Sequence, residues 1–145
     1  MSGHSEIEMP RAGQVDFSAR ARLFLQHTQW GVDHQTAQPY FDVVYNRPIE
    51  SVHDWPDFGD LTARYWEASL LAEQMTGEHG RNTNRFRDQL SSWFAPNGLN
   101  YRPATPYTTP AAEMFDQSRT LLALSSAYAL TGDPVLAKRM RGLVD

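Results

Sequence analysis

The stretch HDWPDFGDLTARYW, residues 53–66, combines three aspartates, a histidine and several aromatic rings at the start of a predicted helix. Clefts that bind or cleave sugars use this mixture of carboxylates and rings. Aspartate is also common at helix starts, because its carboxylate caps free N–H groups and suits the positive end of the helix dipole. The stretch therefore predicts either a capped helix or one wall of an active site.

Composition limits the classes of function that the chain can have. Its 145 residues fit one domain, expected over residues 16–145 after a polar leader at 1–15. The net charge is −4 and the 13 Lys and Arg residues form no long basic block, so a nucleic-acid partner is not expected. There is no cysteine, metal-ligand spacing or glycine-rich phosphate loop, and we expect neither a metal nor a cofactor.

The expected compartment follows from apolar segments. No apolar run approaches the ~20 residues of a membrane-spanning helix, so a membrane partner is not expected. The N-terminus lacks the apolar core of a signal peptide. We therefore expect a soluble, cytoplasmic protein.

Hydrophobic periodicity predicts five helices and two long loops. The helices are expected at residues 15–30, 60–76, 82–94, 110–131 and 134–145. Gly77 and Gly132 are predicted to end the second and fourth helices in left-handed conformations, and Thr109 with Pro110 to begin the fourth. Residues 31–58 are predicted to form a loop with one short extended piece at YFDVVY. The segment LLALSSAYAL is apolar or small on nearly every side, which predicts a helix surrounded by protein.

An internal repeat relates the second and fourth helices. A shift of 55 residues superimposes five identical pairs, which are Arg64/Arg119, Ala68/Ala123, Ala72/Ala127, Thr76/Thr131 and Gly77/Gly132. Long loops lead into both helices and short TGE or TGD turns lead out of them. Antiparallel hairpins connected in this way place every long loop at one end, which favours an α/α toroid. A solenoid of the tetratricopeptide type would repeat at about 34 residues.

The segments DFGDLTARYWEASLLAEQMTGE and GLNYRPATPYTTPAAEMFDQSRTLLALSSAYALTGDP resemble the six-hairpin α/α-toroid glycosidases. The β-L-arabinofuranosidase-like and unsaturated-glycan hydrolase members are the most similar in pattern. The resemblance covers residues 54–134 and implies an all-α fold of antiparallel hairpins. The chain supplies about two and a half hairpins of such a toroid. It is therefore either the N-terminal portion of a larger enzyme or a short relative that associates with a second copy or a partner chain, which would cover exposed inner-helix surface.

This resemblance implies a sugar site where the long loops meet the inner-helix N-termini. The implied residues are Asp60, Glu113 and Asp116 as catalytic carboxylates, with His53, Asp54, Trp55, Arg64, Tyr101, Arg102, Tyr107 and Arg119 as substrate-binding groups. Glycoside cleavage uses two carboxyl groups, roughly 5–5.5 Å apart for retention and about 6.5–9.5 Å apart for inversion. Rings would stack on the sugar, arginines could bind acidic sugars, and Asp54 could orient His53.

Structural roles remain open for the same residues. Asp57 and Asp60 fit a capping pair, Glu113 gains from the helix dipole, and Asp116 can pair with Arg119 three residues on. The alternative function is a non-catalytic helical-hairpin module for protein interaction or assembly. A carboxylate with a raised pKa in an aromatic cleft would favour sugar chemistry. A flat, exposed apolar side on the second and fourth helices would instead mark missing hairpins or a partner.

Overall fold

The computed structural model describes residues 15–40, 42–53, 58–104 and 111–145. Its elements are α1 (Phe17–His27), β1 (Asp42–Val44), β2 (Glu50–Val52), α2 (Asp60–Thr76), α3 (Thr83–Ser92), α4 (Met114–Thr131) and α5 (Pro134–Val144). The predicted helical character is confirmed at all five positions. None of the described helices combines the length and apolarity needed to cross a membrane.

The long first loop contains a small antiparallel sheet that the sequence analysis did not predict as a pair. Asp42 lies opposite Val52, and Val44 lies opposite Glu50. The predicted extended piece corresponds to β1. Its β-branched valines suit a strand, whereas the second strand, ESV, is too short to show a period.

Several predicted helix boundaries differ from the structure, and α1 spans Phe17–His27 rather than residues 15–30. The third helix ends at Ser92, so Trp93 and Phe94 lie beyond it, and Phe94 forms an antiparallel bridge with Asn100. Pro96 follows within four residues, and a proline cannot continue a helix. The fourth helix begins at Met114 rather than at residue 110. The predicted cap at residues 109–110 lies outside the described residues.

The repeat predicted from the sequence is visible as two matching helix ends. Gly77 and Gly132 have φ values of +71° and +68°, and each N–H donates to the carbonyl four residues earlier over 2.8 Å. Thr76 and Thr131, which precede the two glycines, each donate a hydroxyl to the carbonyl four residues back, over 2.7 and 2.8 Å. A left-handed residue at this position is the usual helix terminator. The α2 and α4 ends are therefore equivalent in hydrogen bonding as well as in sequence.

The α2 and α4 helices lie side by side and run parallel. Their first turns meet where the Asp60 N–H donates to Asp116 Oδ1 over 3.0 Å, and further along Ser126 donates to Glu67 Oε1 over 2.6 Å. The α1 and α3 helices also pack on α2, and α5 packs on α4. The shared core contains Ala63, Trp66, Phe86, Leu90, Ala123, Leu124, Ala127 and Leu136. This arrangement brings the starts of α2 and α4 to one end of the bundle.

The α4 helix is not surrounded by protein in the described part of the chain, so that prediction was wrong. Phe115 and Leu122 are 48% and 49% exposed. On α2, Leu71 and Met75 are 43% and 52% exposed. The buried side of α4 instead carries Ala123, Leu124 and Ala127 together with polar residues. We call these four exposed residues, Leu71, Met75, Phe115 and Leu122, the apolar face.

Candidate functional site

Six of the predicted site residues meet where α2 and α4 begin. They are Asp60, Arg64, Arg102, Glu113, Asp116 and Arg119, and we call them the carboxylate–arginine cluster. Four of them belong to the first two turns of the two helices, and Glu113 is the residue immediately before α4. Arg102 comes from the loop between α3 and α4. The cluster forms because the parallel packing of α2 and α4 aligns their N-terminal ends.

Asp116 caps a helix other than its own. The residue before α2 is Gly59, which has no side chain to accept from the first N–H groups, and Asp116 Oδ1 accepts from the Asp60 N–H instead. A Cβ atom built on Gly59 would lie 2.6 Å from Asp116 Cβ. The absence of a side chain at residue 59 is therefore what allows Asp116 to approach. Free N–H groups at a helix start require such partners when they are buried.

Asp60 is an anchor for two arginines. Its Oδ1 lies 2.6 Å from Arg64 Nε and 3.1 Å from Arg119 Nε, and its side chain is 9% exposed. The Arg119 contact is an ion pair without an aligned hydrogen bond. Arg64 and Arg119 are the matching pair of the 55-residue repeat. The two repeats therefore converge on one carboxylate, which joins α2 to α4.

Glu113 is the carboxylate of the cluster that is most open to solvent. Its side chain is 40% exposed and its Oε1 lies 3.5 Å from Arg102 Nη2, while the Arg102 side chain is 15% exposed. The Arg102 N–H also donates to the Ala111 carbonyl over 2.8 Å. Two parts of the loop between α3 and α4 are thus joined beside Glu113.

A buried amide positions the loop that carries Arg102. Gln117 accepts from the Asn100 N–H over 2.8 Å and donates to the Asn100 carbonyl over 2.6 Å. Asn100 is completely buried. The Gln117 side chain therefore satisfies both the N–H and the carbonyl of Asn100. Buried backbone groups need such partners, which a neighbouring strand would otherwise provide.

The pKa of Asp116 is raised to about 6. Burial is the largest cause, and the charges of Glu113 and Asp60 act in the same direction. The hydrogen bond from the Asp60 N–H and the charge of Arg102 lower the pKa but do not compensate. A buried carboxyl group whose pKa is raised in this way has the properties of a general acid.

His53 belongs to a different group of residues. Its ring stacks on Tyr40 at a centroid distance of 4.7 Å, and its Nε2 lies 3.5 Å from Asp33 Oδ2. Although burial raises the pKa of Asp33, the N–H groups of Gln35 and Thr36 and the His53 ring lower it overall. Asp33 is not among the predicted site residues, because no periodic signal connects residues 20 positions apart across an irregular loop.

Of the aromatic residues predicted to stack on a sugar, the structure describes Tyr101. Tyr101 accepts a hydrogen bond from Asn97 Nδ2 over 3.0 Å, and its N–H donates to the Trp93 carbonyl over 2.9 Å. These contacts place Tyr101 in the turn after α3. Asp54, Trp55 and Tyr107, like the predicted cap Asp57, lie outside the described residues.

The chemistry of the cluster is that of carboxyl groups and arginines. Within the described residues, no group of three or more His, Asp or Glu side chains is placed to hold a metal ion. Comparison with protein-family models, curated proteins and solved structures found no match to this chain.

Proposed function

We propose that the carboxylate–arginine cluster is part of a sugar-binding site, in a protein related in architecture to the α/α-toroid glycoside hydrolases. The observation that carries this proposal is the proximity of two carboxyl groups with different surroundings. Asp116 is buried with a pKa raised to about 6, and Glu113 is 40% exposed on its side chain. Glycoside cleavage requires one carboxyl group that holds a proton and another that is ionised.

The three predicted carboxylates have different proposed roles. Asp116 is the proton donor, and the more exposed Glu113 is the second carboxyl group, which faces the sugar. Asp60, held by two arginines, is a positioning residue that keeps the two helix starts together. Arg102 and the 47% exposed Arg64 supply donors for hydroxyl or carboxylate groups of a sugar. Trp55 and Tyr107 precede α2 and α4 by only a few residues in the chain and remain the proposed stacking platforms.

Glycan-array binding and hydrolysis of the bound glycans test this proposal. We expect Glu113→Gln to weaken binding and Asp116→Asn to abolish hydrolysis while the protein still binds the sugar. Glu78→Gln is the matched control, since Glu78 pairs with Arg22 just beyond the opposite end of α2. Neither binding nor hydrolysis by the wild-type chain, alone or together with a downstream partner chain, would contradict the proposal.

The second candidate function is protein association through the apolar face. Leu71, Met75, Phe115 and Leu122 expose between 43% and 52% of their surface. Large exposed apolar side chains are typical of protein interfaces where they form one patch. In a toroid this face would meet further hairpins, from the same chain or from a second copy.

Sedimentation velocity across a concentration series tests this candidate. We expect the wild type to self-associate and Leu122→Glu to shift the protein to a monomer. Leu23→Glu is the control, because Leu23 is also exposed, at 41%, but lies on α1. A wild type that remains monomeric at every concentration would contradict self-association.

A further inference from the structure

A polar cavity lies where the end of α1 faces the start of α3. Its volume is about 300 Å³, and it is lined by Gln29, Trp30, His34, Arg81, Asn82 and Arg85. Asn82 connects its two sides, because its Nδ2 donates to the Thr28 carbonyl over 2.8 Å. None of these residues belongs to the carboxylate–arginine cluster.

The charged residues at the start of α3, beside this cavity, are positive, which is unusual at a helix N-terminus. Arg81 immediately precedes the cap residue Asn82, and Arg85 is the third residue of α3. Cations are unfavourable at the positive end of a helix dipole, where acidic residues or capping side chains normally lie. The first turn of α3 contains no acidic residue, and the Asn82 side chain makes no capping bond. Departures from local rules of this kind are expected at functional sites.

Neutral groups hold the Arg85 guanidinium in place. It donates to Asn82 Oδ1 over 3.3 Å and to the carbonyls of His34 and Gln35 over 3.1 Å each. Within the described part of the chain, neither Arg81 nor Arg85 forms an ion pair. Two positive charges therefore stay uncompensated here, although the chain has a net charge of −4.

Trp30 provides an apolar wall beside these charges. Its side chain is 75% exposed, and its ring meets His34 edge to face at 6.4 Å. An exposed indole can stack on a ligand ring, whereas guanidinium groups bind carboxylate or phosphate oxygens.

We propose that this cavity binds a small ring compound that carries an oxyanion, either a carboxylate or a phosphate. Arg81 and Arg85 bind the oxyanion and Trp30 stacks on the ring. The start of α3 adds the favourable field that helix N-termini provide for anions. The proposal does not depend on the sugar site at the carboxylate–arginine cluster.

Isothermal titration with glucuronate, glucose 6-phosphate, glucose and inorganic phosphate tests the proposal and distinguishes the two oxyanions. We expect one of the charged sugars to bind more tightly than either glucose or inorganic phosphate, with an affinity that falls as salt increases. Arg81→Gln should weaken this binding about tenfold or more, as expected for loss of a charged hydrogen bond. Trp30→Ala should weaken binding of the charged sugar without changing that of phosphate.

A matched control variant and a check on folding complete the experiment. Arg87→Gln changes an exposed arginine of the same helix that pairs with Asp88, and it should leave binding unchanged. Arg81→Gln is preferred over Arg85→Gln because Arg85 also holds the loop at residues 34–35, and thermal melting of each variant verifies folding. No binding of either charged sugar to the wild type, or equal binding by Arg81→Gln, would overturn the proposal.

Discussion

The Asp116 carboxyl group accepts a hydrogen bond from the Asp60 backbone N–H across 56 positions of sequence, over 3.0 Å. This contact makes a side chain of α4 the cap of α2. It also buries Asp116, of which only 1% of the surface is exposed, and so raises its pKa. One carboxyl group thus joins the two helices and stores a proton near pH 6.

The raised pKa of Asp116 predicts a pH-dependent stability. Its pKa rises from 3.8 in the unfolded chain to about 6 in the folded chain, so the folded state binds more protons between these values. Protonation of Asp116 therefore stabilises the folded state, and this stabilisation is fully present below pH 4. It is lost as the pH rises to about 6, which lowers the free energy of unfolding by roughly 3 kcal/mol. Asp116→Asn stays neutral and can still accept from the Asp60 N–H. We expect it to match the wild type near pH 4 and to be more stable above pH 6. Urea unfolding at pH 4, 5, 6 and 8 measures this, and a stability difference independent of pH would contradict it.

The shared carboxylate of Asp60 predicts coupling between two arginines. Removing either Arg64 or Arg119 leaves the Asp60 side chain, which is 9% exposed, with one arginine partner. We expect Arg64→Gln and Arg119→Gln each to cost about 1 kcal/mol, and the double variant to cost more than their sum, because it leaves a buried charge unpaired. A double-mutant cycle from urea unfolding gives the coupling energy. Arg87→Gln, which breaks an exposed pair with Asp88, should change stability by less than about 0.5 kcal/mol. Strict additivity would show that the arginines act separately.

Gln117 is predicted to be a strong determinant of stability. Gln117→Ala removes both hydrogen bonds to the backbone of Asn100, which is completely buried. We expect a loss of about 2–3 kcal/mol, since unsatisfied buried groups carry their full desolvation cost. Ser118→Ala, which changes an exposed neighbour with only a local bond to the Phe115 carbonyl, should have little effect. Thermal unfolding of both variants provides the comparison, and similar melting temperatures would contradict the role of Gln117.

The matching helix ends predict matching sensitivities to substitution. Gly77→Ala and Gly132→Ala each place a Cβ in a left-handed conformation where open space, rather than a clash, surrounds it. The cost should therefore be backbone strain alone, about 1–2 kcal/mol at each position. Gly77→Asn should cost less, because asparagine tolerates this conformation. Chemical denaturation of the four proteins tests this, and a large effect at only one glycine would show that the two ends are not equivalent.

The helices could be predicted from the sequence because their signals are local. Gly77 and Gly132 end α2 and α4 as expected, and Asp133 with Pro134 begins α5. The start of α4 was placed four residues too early, since Pro110 satisfies the same local preference as a true first residue. The hairpin of β1 and β2 was missed because three-residue strands show no period, and only their pairing stabilises them.

The sequence by itself determined the helical hairpins, their terminators and the 55-residue repeat, because these depend on residues within a few positions of one another. It also named all six members of the carboxylate–arginine cluster. Only the tertiary structure decided the contacts and burial of each member. Parallel packing of α2 and α4 buries Asp116, pairs Asp60 with two arginines and leaves Glu113 open to solvent. The cavity lined by Trp30, Arg81 and Arg85 was likewise decided by packing. Burial and the proximity of charges depend on residues that lie tens of positions apart in the chain. No local sequence pattern therefore predicts them.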